Sequence, residues 1–186
     1  NAAGLWIGEG SVWGVWALET VLLVSALLIA YQLLRKTFSS AISFALSAAC
    51  FLSTYEIMSG KFSEEYALFF QMSILGVLFL IYLPDQKRNS RPLAAAIIGV
   101  LTGLVFCLKQ TYLDVAASAI LYILFLACVE KDRKVWKNIL WVMVGFALVN
   151  LPFFIYFYAK GALSDYLTSA YLFNRYYSSQ GLLERM

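Results

Sequence analysis

Long apolar runs separated by short polar clusters make up almost the whole of this sequence. A helix that is apolar on every side belongs in hydrocarbon, and about 20 such residues cross the ~30 Å interior of a bilayer. On that pattern six spans are expected, over residues 13–34, 39–57, 66–83, 92–108, 114–129 and 138–158. The fourth and fifth are short. Joined into one helix, residues 92–129 would extend about 55 Å at ~1.5 Å per residue, too long for one crossing, so "KQTYL" is read as a hairpin tip.

Within the second run, "SSAISFALSAACFLS" places Ser39, Ser43 and Ser47 at helical spacing, with Ala41, Ala45 and Ala49 beside them. Small residues let helices approach closely, so this span is expected at the centre of the bundle. Asn150 and Pro152 predict a kink in the sixth run, because proline removes a backbone donor. Beyond it, Leu163, Tyr166, Leu167, Ala170 and Tyr171 recur at helical spacing opposite Ser164, Asp165, Thr168 and Ser169. That pattern predicts an amphipathic helix over 162–175 lying in the interface. Trp13, Trp16, Tyr55, Tyr66, Tyr82 and Trp136 fall near span ends, as an aromatic belt would.

The basic residues orient the chain. Arg35, Lys36, Lys87, Arg88, Arg91, Lys131, Arg133, Lys134 and Lys137 belong to one set of loops, and Lys61, Lys109, Lys160, Arg175 and Arg185 to the other. The richer set is expected in the cytoplasm. Asp85, Glu130 and Asp132 share that side, whereas Glu9, Glu56, Glu64, Glu65, Asp114, Asp165 and Glu184 face outward. Candidate chemistry therefore gathers on the outer face.

Composition agrees with this picture. The chain is 62% hydrophobic and 13% charged, against about a quarter charged in an ordinary soluble domain. The expected fold is all-α: a polytopic transmembrane bundle of about six spans plus the outer interfacial helix, one domain over 1–186. Beginning at Asn1, it reads as an internal piece of a larger membrane protein of the cytoplasmic (inner) membrane. A net charge of +3 without long basic blocks gives nucleic acid no footprint. Histidine is absent, which removes imidazole metal sites and a histidine base from this piece. Cys50, Cys107 and Cys128 lie inside apolar runs and read as small buried hydrophobes.

Three places could carry chemistry. In "SGKFSEEYALFF", Ser63 can cap a helix and Glu64 and Glu65 can complement its dipole, or the two acids can serve a substrate. Lys109 stands at the outer end of the fourth span, where it can snorkel, pair with Asp114 or hold a lipid phosphate. The pair Gly99 and Gly103 in the same span reads as a close-packing motif. In "FNRYYSS", Arg175 offers a phosphate-binding fork, and Asn174, Tyr176 and Tyr177 could contact a sugar or simply anchor in the interface.

Taken in order, "GKFSEEYALFF", "GVLTGLVFCLKQT" and "YFYAKGALSDYLTSAYLFNRYYS" resemble segments of bacterial GT-C-type glycosyltransferases, over about residues 10–180. These polytopic enzymes are related to protein O-mannosyltransferases and the lipid A aminoarabinose transferase. The resemblance implies transfer of a sugar from a polyprenyl-phosphate carrier to an acceptor outside the membrane, with membrane lipid as a partner and no cofactor. It implies a substrate-binding set of Glu64, Glu65, Lys109, Gln110, Asn174, Arg175 and Tyr177. Lys109 and Arg175 would face the phosphate; Glu64 or Glu65 would position hydroxyls, or a metal if one is used. The family's general base lies on the first outer loop, which would precede Asn1, and a Lys-Pro-Pro motif is absent. No catalytic residue is therefore assigned here. A secondary transporter or lipid flippase, or a non-catalytic subunit of an envelope polysaccharide system, remains the alternative.

Overall fold

A computed structural model describes residues 2–58, 62–83, 92–108, 112–130 and 133–169. These residues are helical almost throughout. The elements are α1 (Ala2–Ile7), α2 (Val12–Leu34), α3 (Ser40–Met58), α4 (Phe62–Gly76, continued by a π-helical stretch Val77–Tyr82), α5 (Pro92–Leu108), α6 (Asp114–Glu130), α7 (Arg133–Ala159) and α8 (Leu163–Leu167). The break at the expected hairpin tip is present: α5 and α6 are separate helices. Pro92 opens α5, where its missing N–H costs nothing, and Asp114 opens α6, where a carboxylate favours the positive helix end.

Two stretches, Val12–Leu34 and Trp136–Ala159, are long and apolar enough to cross a membrane. The stretches Ser40–Leu52, Tyr66–Tyr82, Pro92–Leu108 and Asp114–Val129 are apolar but shorter. What is buried and what is exposed also suits a hydrocarbon surround. Leu140, Trp141, Met143, Val144, Leu148, Leu151 and Ile155 of α7 are exposed, whereas Ser43, Ser47, Thr102, Asn138 and Asn150 are buried. Large apolar side chains outside and small or polar ones inside is the order expected where the solvent is lipid.

Glycine sets the tightest contact. A Cβ on Gly99 would collide with the Val142 carbonyl, and one on Gly145 with the Ala96 carbonyl. Gly103 lies a turn further along, against Val149 and Asn150. Contacts that advance together along both helices make α5 and α7 parallel neighbours with touching backbones. The Gly99/Gly103 motif is thus a packing surface, as expected. On the other side of the bundle, a Cβ on Gly76 would lie 2.9 Å from Ile29 Cγ2, and Lys36 Nζ donates to the Phe79 carbonyl at 2.8 Å. These contacts likewise make α2 and α4 parallel. The end at which α2 and α4 begin and α5 finishes is called the upper end below.

Several expectations change. The α3 helix is an edge element: Ser43 and Ser47 are buried, but Ile42, Phe44, Leu46, Ala41, Ala45 and Ala49 are exposed. Its serine stripe is buried and its alanines face outward. All three cysteines are exposed residues rather than buried ones. Tyr82 is no belt residue; it is 5% exposed, and its hydroxyl accepts from Asn138 Nδ2 at 2.9 Å. Trp13, Trp16 and Trp136 are exposed, as a belt requires. Pro152, the expected kink position, lies inside α7, which continues past it to Ala159; a proline bends a helix without ending it. Of the amphipathic segment 162–175, residues up to 169 are described, and Tyr166 stacks on Phe157 with centroids 4.5 Å apart.

Candidate functional site

The α4 helix begins at Phe62, so Ser63, Glu64 and Glu65 occupy its first turn and Ser63 is not the residue that precedes the helix. The backbone of this turn is described, but the side chains of Glu64 and Glu65 are not. Lys109, Gln110, Asn174, Arg175 and Tyr177 lie outside the described residues. What the structure supplies is the frame around these positions.

Gln71 is its centre. It lies seven residues after Glu64, about two helical turns, and therefore on the same side of α4. Its Nε2 donates to the Tyr112 carbonyl at 2.9 Å and to Asp114 Oδ1 at 2.8 Å. One amide thus ties the middle of α4 to the beginning of α6. These acceptors, Tyr112 and Asp114, are among the first described residues after α5. Asp114, an imagined partner for Lys109, accepts from Gln71. Two segments 40 or so residues apart, "FSEEYALFFQ" and "LKQTYLD", are joined at the upper end by partners separated by 41 and 43 positions.

A second polar contact stands at the same end. Asn150 of α7 is 3% exposed; its Nδ2 donates to Phe146 O at 2.9 Å, and its Oδ1 accepts from Cys107 Sγ at 3.3 Å. The last turn of α5, just before Lys109, is therefore held against α7 by side chains as well as by glycine contacts.

Sequence reasoning missed Glu19. This residue of α2 is 8% exposed, and its Oε1 has no hydrogen-bond partner. Ten residues separate Glu19 from Ile29, and ten separate Tyr66 from Gly76. Since Ile29 meets Gly76 and the helices are parallel, Glu19 is level with Tyr66, in the first turns of α4. The available signal was an acid well inside an otherwise apolar run, which is costly and therefore worth attention. Among the described residues no group of three potential metal ligands comes together.

No known protein family, curated protein or solved structure matches this chain.

Proposed function

We propose that this chain belongs to a multi-pass GT-C-type glycosyltransferase of the cytoplasmic membrane, using a polyprenyl-phosphate sugar donor with its active face outside. The carrying observation is the Gln71 bridge, which holds the middle of α4, two turns along from Glu64, against Tyr112 and Asp114 at the start of α6. Carboxylates suit the hydroxyls of a sugar or acceptor, and a lysine suits a phosphate; their joint placement is what transfer from a lipid phosphate needs.

In the reaction an acceptor oxygen attacks the anomeric carbon as the bond from that carbon to the phosphate oxygen breaks. The lipid phosphate leaves with the electron pair, and the acceptor's proton passes to a base outside this chain. Because phosphate is already a good leaving group, the site's tasks are alignment and charge stabilisation. Lys109 and Arg175 would face the departing phosphate, with Gln110, Asn174 and Tyr177 around the sugar. Six crossings, of which the four shorter helices would span a locally thinned bilayer, give this arrangement its topology.

The full-length protein, supplied with polyprenyl-phosphate sugars, should transfer sugar, and Glu64→Gln or Glu65→Gln should lower turnover about 100-fold, the size of a lost acid/base or equivalent charge. Normal turnover in both variants at normal expression would reduce the pair to helix-start residues. One observation favours a secondary transporter instead: Glu19 is a buried acid inside an apolar helix whose Oε1 has no hydrogen-bond partner, as in proton relays. Proton-coupled uptake into vesicles that is abolished by Glu19→Gln, without sugar transfer, would decide for that reading.

A further inference from the structure

Glu19 is a buried acid for which sugar transfer has no use. Val15 lies four residues before it and Ala26 seven after, so the three share one face of α2, and all three are buried. Among the described residues Glu19 Oε1 has no hydrogen-bond partner. The α4 helix packs along α2, its first turns lie at the level of Glu19, and its Ala67 is 1% exposed. Glu19 is seven residues along α2 from Val12, about 10 Å from the upper end at ~1.5 Å per residue. A proton from the water at that end has a short way to travel.

Three contacts fix α4 farther along. Gln71 donates to Tyr112 O and Asp114 Oδ1, Gly76 packs on Ile29, and the Phe79 carbonyl accepts from Lys36. The first turns, residues 62–70, carry Glu64 and Glu65 and precede all three of these points. Their seat on α2 therefore depends on the face that contains Glu19. That face accepts a neutral acid far better than a carboxylate, because an ionised group taken out of water without a partner loses most of its solvation. Other groups that titrate or carry charge at this level are Glu64, Glu65 and Tyr66 on α4, Tyr55 and Glu56 near the end of α3, and Glu9 and Lys61 in the connections above. Glu9 is exposed, Tyr66 is half-buried, and Lys61 lies outside the described residues. The α1 helix contributes none within Ala2–Ile7.

We infer that Glu19 is a proton-binding site that latches the first turns of α4 to α2: with the proton bound they are seated, and without it they open. The direction follows from linkage. The seated form holds the proton, and the open form, in water, releases it above the ordinary glutamate value of about 4.3. Seating is therefore complete at acid pH and weakens as pH rises, by about tenfold in the seated-to-open ratio per pH unit for one proton. The latch goes beyond the transfer reading and does not require it, although the turns it moves carry Glu64 and Glu65. Hydrogen exchange of the full-length protein in nanodiscs reads the opening. Dividing the wild-type rate by that of Glu19→Gln at the same pH cancels the intrinsic pH dependence of exchange. For the amides of residues 66–70 this ratio should rise about tenfold per pH unit between pH ~5 and ~7, and for residues 73–76 it should stay flat. Glu19→Leu, which cannot titrate and needs no hydrogen-bond partner, should give the same result as divisor, so a poorly folded Gln variant does not decide the matter. A flat ratio for residues 66–70, or an equal rise for 73–76, overturns the inference. So does a pH dependence that persists in Glu19→Gln and vanishes in Glu64→Gln/Glu65→Gln, which would place the proton on those acids. Sugar transfer is scored separately on the unaltered protein. The expected exchange without transfer keeps the latch and removes the catalytic reading; transfer with a flat ratio does the reverse.

Discussion

Gln71→Met keeps the length of the side chain and removes the amide that joins α4 to α6. The two lost bonds are 2.9 Å to a backbone carbonyl and 2.8 Å to a carboxylate. A neutral bond contributes ~0.5–1.5 kcal/mol net, and one to a charged group ~1.5–3 kcal/mol. Gln71 is half-buried but Asp114 is exposed, so water recovers much of the carboxylate's share. A loss of about 2 kcal/mol in unfolding free energy is expected for Gln71→Met. Reversible unfolding in mixed micelles measures it, and a cycle with Asp114→Ala isolates the side-chain pair from the loss of the Tyr112 bond. The coupling energy should be about 1 kcal/mol, typical of neighbours that share a bond. Sugar transfer should fall with it, because Glu64, Glu65 and Lys109 remain but lose their common frame. A coupling within ~0.3 kcal/mol of zero would mean that the two ends are not joined through this amide.

Gly99→Leu should prevent α5 and α7 from meeting and cost more than about 3 kcal/mol, whereas Gly103→Ala meets side-chain atoms at 2.9 Å and should cost less; the same unfolding assay ranks them. Glu19→Leu should raise unfolding stability by about 1–3 kcal/mol, since an unpartnered buried oxygen is exchanged for hydrocarbon, and a decrease would reveal a partner for the carboxyl. Lys109→Met should weaken binding of polyprenyl phosphate roughly 10- to 100-fold with Lys109→Arg milder, and unchanged binding would reject Lys109 as the phosphate anchor. For topology, single cysteines in a background without Cys50, Cys107 and Cys128 should be labelled from outside at position 61 and not at 87; the opposite pattern would invert the chain.

Where the helices lie was legible along the chain, because helix formation in an apolar run is local. The expected 92–108 coincides with α5, and 13–34, 114–129 and 39–57 each fall within a residue of α2, α6 and α3. The Val77–Tyr82 continuation of α4 was legible as helix but not as a π-helical stretch, after which Leu83 N–H reaches back to Leu78 O at 2.9 Å. Gly99 and Gly103 also announced their role, since a spacing of four on one helix face is itself a statement about close approach.

Which side of each helix faces inward was another matter. A helix that is apolar all round has no stripe to distinguish core from lipid, so periodicity carries no such information. That is why Cys107 and Cys128 read as buried and are exposed, why α3 read as central and lies at the edge, and why Tyr82 read as interfacial and is enclosed with Asn138. The same blindness hid Glu19, whose burial depends on α2 meeting α4. The acidic motif and the Lys109 motif could be picked out residue by residue. That Gln71 reaches Tyr112 and Asp114 across 41 and 43 positions belongs to tertiary structure alone, because a side-chain bond of ~3 Å between distant segments is fixed by how helices pack and by no local pattern.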